Sequence, residues 1–163
     1  MANPFFITGY PRSMTAWLSV ALDCAHERDG KSIEEFMQEI ECGEQRGDSS
    51  SIASMFYDEI KERFPDSKWV IVEREKEKCL ESFCKVSKLP TNKCVELFDY
   101  IEYCISKISP ALKVKFCDIP IQIKEIWEWC YPEIEYPVKR IKKLQMLNIQ
   151  QVPHLIQMGA GTV

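Results

Sequence analysis

Arg12, Ser13 and Thr15 stand between a short apolar run, Phe5-Phe6-Ile7, and a segment whose apolar residues Trp17, Leu18, Ala21 and Leu22 recur at helical spacing. Gly9 and Pro11 break the run before them. A strand, a polar turn and a helix in that order make an anion site. The first N–H groups of a helix have no intrahelical acceptor, and the helix dipole is positive there. Arg12 adds a permanent cation whose planar fork fits phosphate or sulfate. The opening segment therefore reads as a place for a phosphorylated group.

The elements that must hold such a site alternate along the chain. Phe5–Thr8 reads as the first strand and Ser13–Asp23 as the first helix, with a short second strand at Cys24–Glu27. Ser32 caps the next helix, with Glu35 completing a capping box, and this helix runs to about Glu41. Gly43–Ser51 reads as a polar loop and Ile52–Phe64 as a helix with Ile52, Met55, Phe56, Ile60 and Phe64 on one stripe. Lys68–Glu73 carries Trp69-Val70-Ile71-Val72, too apolar for a surface strand and suited to the centre of a parallel sheet. Glu75–Lys85 and Thr91–Ser106 read as helices, the second burying Val95, Phe98, Ile101, Ile105 and Ile108. Ala111–Phe116 alternates Val and Lys and reads as a strand towards an edge. Helices follow at Ile121–Cys130 and Val138–Leu147.

Strands alternating with helices predict a three-layer α/β/α sandwich with a mainly parallel sheet. In such sheets ligands bind at the carboxyl ends of the strands. Arg12, His26, Glu27, Glu73 and Arg74 all fall at or just past those ends. The expected organisation is one domain over residues 1–150 and a loose tail over 151–163.

Composition narrows the classes. The chain has 163 residues, 45% hydrophobic and 28% charged, which suits a globular domain with a real core. A formal net charge of -4 gives no global basic field for nucleic acid or an acidic membrane. The first strand begins close to Met1, so no targeting segment is expected, and the expected location is cytoplasmic, of a cell or of a virus inside one. Eight scattered cysteines without a C-x-x-C pair are expected to be reduced thiols. Two histidines and the absence of paired ligand spacing argue against zinc.

The nucleotide-binding pattern G-x-x-x-x-G-K-[ST] is not met, because no Gly-Lys follows Gly9. Tyr10-Pro11-Arg12-Ser13-Met14-Thr15-Ala16-Trp17 instead resembles the P-[KR]-S-G-T-T-W loop of sulfotransferases that use 3′-phosphoadenosine 5′-phosphosulfate (PAPS). The match holds at Pro11, Arg12, Ser13, Thr15 and Trp17. Met14 replaces the loop glycine, and Ala16 replaces the second threonine. The resemblance implies that the Gly9–Trp17 segment binds the cofactor, with Arg12, Ser13 and Thr15 on the 5′-phosphosulfate and Trp17 near the adenine. In that family a strand ends in Arg and a Ser follows after seven residues, together holding the 3′-phosphate. Arg74 and Ser82 stand at that spacing here. The Val114–Ile119 strand end and Ile126-Trp127 are similar to a later strand-helix unit, so the likeness spans roughly residues 5–130.

The family resemblance implies a P-loop-like fold and transfer of a sulfuryl group from PAPS to a hydroxyl or amine of a small-molecule or carbohydrate acceptor. The product is adenosine 3′,5′-bisphosphate, and no metal is expected. His26 or Glu27 would be the base. The family's C-terminal Arg-Lys-Gly clamp is missing, although Lys139, Arg140, Lys142 and Lys143 form a basic cluster. Two alternatives stand beside this reading. A divergent nucleotide or nucleoside kinase would place Mg²⁺ on Thr15 and Asp118. A non-catalytic nucleotide-binding accessory protein would explain Met14 and Ala16. Oligomeric state is not encoded in any motif.

Overall fold

In the computed structural model, which describes residues 3–147, five strands alternate with seven helices. The order is β1 (Phe5–Gly9), α1 (Thr15–Leu22), β2 (Ala25–His26), α2 (Ile33–Cys42), β3 (Gly47–Ser49), a 3₁₀ turn (Ala53–Phe56), α3 (Tyr57–Arg63) and β4 (Lys68–Glu73). Then come α4 (Lys76–Cys84), α5 (Thr91–Ser106), β5 (Leu112–Lys115), α6 (Ile119–Cys130) and α7 (Val138–Met146). The sheet order is β2-β3-β1-β4-β5, with every pairing parallel. The expected tail, including His154 and Gly159–Val163, lies outside the described residues.

Two apolar layers sandwich this sheet. Phe5, Ile7, Val70 and Val72 face α1, α6 and α7, meeting Trp17, Leu18, Ile123, Trp127 and Ile141. Phe6, Trp69 and Ile71 face the other way, onto Phe36, Ile60 and Ile108. Each such side chain, fully buried, is worth about 1.5–3 kcal/mol of transfer free energy. The run Trp69–Val72 is buried throughout because both of its faces are covered. At β5, Lys113 and Lys115 are exposed while Val114 is buried, and the strand lies at the sheet edge as its alternation implies.

Three expectations need correction. The polar stretch Gly43–Ser51 contains a strand, β3, whose residues Gly47, Asp48 and Ser49 are all buried. Gly47 is there because a Cβ would meet the Phe5 carbonyl oxygen at 2.1 Å, so β1 and β3 close only on a glycine. The helix expected over Ile52–Phe64 divides into the 3₁₀ turn and α3. Val95 is 38% exposed, and the inner face of α5 is instead Cys94, Phe98, Ile101 and Cys104. Both cysteines act as small hydrophobes, and all eight cysteines of the chain are free thiols.

Candidate anion-binding turn and its surroundings

Gly9 ends β1 directly against β4, where a Cβ would meet the Val72 carbonyl oxygen at 2.7 Å. From there the chain turns sharply. Arg12 has φ 75° and Met14 φ 64°, both in the left-handed region, on either side of the buried Ser13. This alternation curls successive backbone N–H groups into a concave nest that favours an anion. The first helical bond of α1 runs from Leu18 N–H to the Met14 carbonyl at 3.0 Å. The amides of Thr15, Ala16 and Trp17 therefore have no acceptor within the helix.

Met14 is held in a backbone conformation that costs a residue with a Cβ about 1–2 kcal/mol. Its half-buried side chain packs against the core layer under α1, which offsets part of that cost. The turn keeps its left-handed geometry although glycine is absent.

Arg74 and Ser82 converge on Arg12 of this turn from distant segments. Arg12 Nε donates to Ser82 Oγ at 3.3 Å. Arg74, just past β4, donates from Nη1 to the Arg12 carbonyl, and its guanidinium lies 3.9 Å from the Phe116 ring centroid. These bonds end on a hydroxyl and a carbonyl, so neither cation is neutralised by them. Ser13 Oγ sits 3.7 Å from Cys79 Sγ on α4. Lys76 anchors α4 to α5 through Asp99, at 2.7 Å, and Glu102. Tyr10 stacks on Phe98 at 5.4 Å, and burial plus the neighbouring Glu102 carboxylate push its hydroxyl up to about 12. A cleft of about 330 Å³ opens beside Arg74, between the end of β4 and α5, lined by Tyr10, Glu73, Glu102, Ile105 and Lys113 of β5.

The gap at the ends of β1 and β4, next to this cleft, is where the topology predicts a ligand. The crossover after β1 leads to one side of the sheet and the one after β4 leads to the other. Adjacent strands whose connections diverge leave a gap at their carboxyl ends.

Other expected residues fall elsewhere. Pro11 and Ala16 are half-buried parts of the turn. The Trp17 ring is only 3% exposed and serves the core, leaving almost no face for a base. His26 and Glu27 end β2, two strands from β1, about 10 Å away at ordinary strand spacing. His26 Nδ1 lies 2.7 Å from the Ser49 carbonyl, which can only accept, so Nδ1 carries the proton and Nε2 is the basic nitrogen. Ser49 Oγ in turn donates to the Thr15 carbonyl at 2.8 Å, tying β3 to the start of α1. Arg140 bonds the Val20 carbonyl and lies 3.7 Å from Asp23, at the end of α1 remote from the turn. Asp118 follows β5, two strands from β1 on the opposite side, so Thr15 and Asp118 are not brought together. Among the described residues no cluster of three or more His, Cys, Asp or Glu is arranged for a metal, and no helix is long and apolar enough to cross a membrane.

One group had no signal in the sequence. Asp48 on β3 is 1% exposed, and its Oδ1 accepts the Arg28 backbone N–H at 3.0 Å. Burial pushes its carboxyl up to about 7, against the weaker opposing pull of Arg28.

No protein-family model and no curated protein matches the chain. Among solved structures the chain is similar to a sulfotransferase domain from the curacin biosynthetic pathway. The two share 10% sequence identity at a TM-score of 0.55, over 93% of this chain and 80% of that one. At this identity the likeness is one of fold: an α/β sandwich around an all-parallel sheet.

Proposed function

We propose that the chain binds PAPS and transfers its sulfuryl group to a hydroxyl or amine. The observation that carries this reading is the convergence of Arg12, Arg74 and Ser82 on the nest at the start of α1. The donor set suits the cofactor: two arginine forks, a hydroxyl and unpaired helix amides, without a carboxylate bonded to either arginine. The amides of α1 with Arg12 and Ser13 would hold the 5′-phosphosulfate. Arg74 and Ser82 would hold the 3′-phosphate, the group that separates this nucleotide from ATP. The cleft beside Arg74 would take the nucleoside.

When bound, PAPS supplies an activated sulfuryl group on a phosphate leaving group. The chain's own contribution is placement and charge. Arg12 and the α1 amides face the charge that grows at the transferring group. Arg74 and Ser82 would hold the 3′-phosphate on the β4 side, which would leave the β3 and β2 side of the mouth to the acceptor. His26 Nε2 is the base on that side, in the tautomer set by Ser49, with the exposed Glu27 beside it. An acceptor reaching from β2 to the turn spans the separation between them.

Thermal shifts test the reading. Adenosine 3′,5′-bisphosphate should stabilise the protein without metal, and AMP should do so far less. A response confined to ATP with Mg²⁺ would favour the kinase alternative and sink this one. Binding of the bisphosphate with no transfer to any acceptor would favour the accessory role that Ala16, with its missing hydroxyl, suggests.

A further inference from the structure

The chain just past β2 holds the most strained backbone among the described residues. Glu27, Arg28, Asp29 and Gly30 have φ of 51°, 55°, 51° and 79°, a complete left-handed turn in which only the last residue is glycine. Each of the other three costs about 1–2 kcal/mol relative to a right-handed conformation. Three bonds hold the turn: Asp29 Oδ1 accepts the His26 N–H at 3.3 Å, Asp48 Oδ1 accepts the Arg28 N–H, and the Arg28 carbonyl accepts the Lys31 N–H at 3.0 Å. Strain of this kind persists where the surroundings over-determine it, and it concentrates at functional sites.

The turn does something specific with Arg28. It lays the guanidinium 4.5 Å from the Phe56 ring centroid. There Nε and Nη1 are buried with no hydrogen-bond partner among the described residues. The Ser54 hydroxyl, on the same 3₁₀ turn as Phe56, is also buried without a partner. Charged donors left unpaired are costly, at about 1–3 kcal/mol or more for each group. Asp48 attracts the guanidinium through space but does not bond it: its Oδ1 accepts the Arg28 backbone N–H, and the two side chains form no hydrogen bond or ion pair. Glu27 and Asp29 are exposed, so solvent screens their charge.

We propose that Arg28, seated on Phe56 by this left-handed turn, is the anchor for an anionic group on the acceptor, so that the acceptor is a hydroxyl or amine compound bearing a carboxylate, sulfate or phosphate. The inference rests on the sulfuryl-transfer reading, because it takes the β2–β3 side of the mouth as the acceptor side. The planar fork supplies the missing pairing for Nε and Nη1, and the aromatic face beneath keeps the guanidinium flat. His26 is two residues away on the same segment, so an acceptor tethered at Arg28 brings its nucleophile to the base. Reaching the buried nitrogens would require the Glu27–Gly30 turn to shift, and its left-handed residues lower the cost of that shift.

Calorimetry on the protein saturated with adenosine 3′,5′-bisphosphate tests this. The probes are 4-hydroxybenzoate against 4-hydroxybenzamide, and glucuronate against glucose. At least one anion should bind about tenfold tighter than its uncharged partner or better. Arg28→Ala should erase that preference while leaving the thermal shift by the bisphosphate intact. Arg28→Lys, which keeps the charge and loses the fork, should retain only part of it and guards against a folding defect in the alanine variant. Equal affinity within both pairs, or an unchanged preference in Arg28→Ala, overturns the proposal. If the bisphosphate does not bind but the Arg28-dependent preference persists, the nucleotide reading fails and the anion anchor stands.

Discussion

The mouth of the sheet has two sides built on opposite principles. On the β1–β4 side, the strand interiors are apolar apart from Thr8, and the charged groups stand at or past the strand ends. Arg12, Arg74 and Ser82 sit on an inert frame and face outward. On the β2–β3 side, the strands are two and three residues long, and the polar groups are in the frame itself: Asp48 and Ser49 are buried within it. One side separates support from chemistry, and the other makes a single set of residues do both. The first should tolerate changes to its functional groups without unfolding. In the second, a changed polar group should change the stability of the fold itself.

The sharpest way to break this contrast is Asp48→Asn. The folded carboxyl titrates at about 7 and its ordinary value is 3.8. The native state therefore binds the extra proton between these limits. The stability this group allows is complete below about pH 4, is lost as pH rises to about 7, and is constant above. The difference amounts to on the order of 4 kcal/mol. The amide keeps an oxygen for the Arg28 N–H and loses the charge. Urea melts at pH 8 should show the variant more stable than the wild type, with the gap closing towards pH 4. A gap that does not change with pH would mean the carboxylate is not desolvated.

Arg74→Ala probes the other side. Losing one charge-assisted fork should weaken adenosine 3′,5′-bisphosphate about 100-fold, while the melting temperature of the free protein moves little. A large loss of stability would show that Arg74 belongs to the frame after all, through its Arg12 carbonyl bond and its seat on Phe116.

The smallest expected effect is at Met14. Alanine there removes the packing and keeps the strain, whereas glycine removes both. Met14→Gly should therefore be more stable than Met14→Ala by about 1 kcal/mol in chemical denaturation. The reverse order would mean that the left-handed geometry is not kept in solution.

The same division decides what could be read from residues alone. Phe5–Ile7 and Trp69–Val72 announce buried strands because a two-sided core demands continuous apolarity. The capping box Ser32–Glu35 is a local signal, and both of its bonds are present. Arg12 and Arg74 stand out by their positions after those strands, and Ser82 only by the spacing of the family the sequence resembles. β3 was not, because Gly-Asp-Ser has the composition of a loop. Its burial depends on Phe5 needing a glycine opposite and on Thr15 and Arg28 supplying partners from elsewhere in the chain. The left-handed turn at Glu27–Gly30 was equally silent, since only its last residue is a glycine. Tertiary bonds override local preference at these places, and no window of sequence contains both ends of such a bond.

The Arg12–Ser82 hydrogen bond joins residues 70 positions apart. Chains are made from the amino end at about 5–20 residues per second. The turn at Arg12 is made before its second arginine and its serine, which follow 62 and 70 residues later, and it lacks both until β4 has docked beside β1. On the proposed reading, a ribosome-bound fragment ending between Arg12 and Ser82 would carry the first loop without capturing adenosine 3′,5′-bisphosphate, so capture would mark the moment at which the two segments have met.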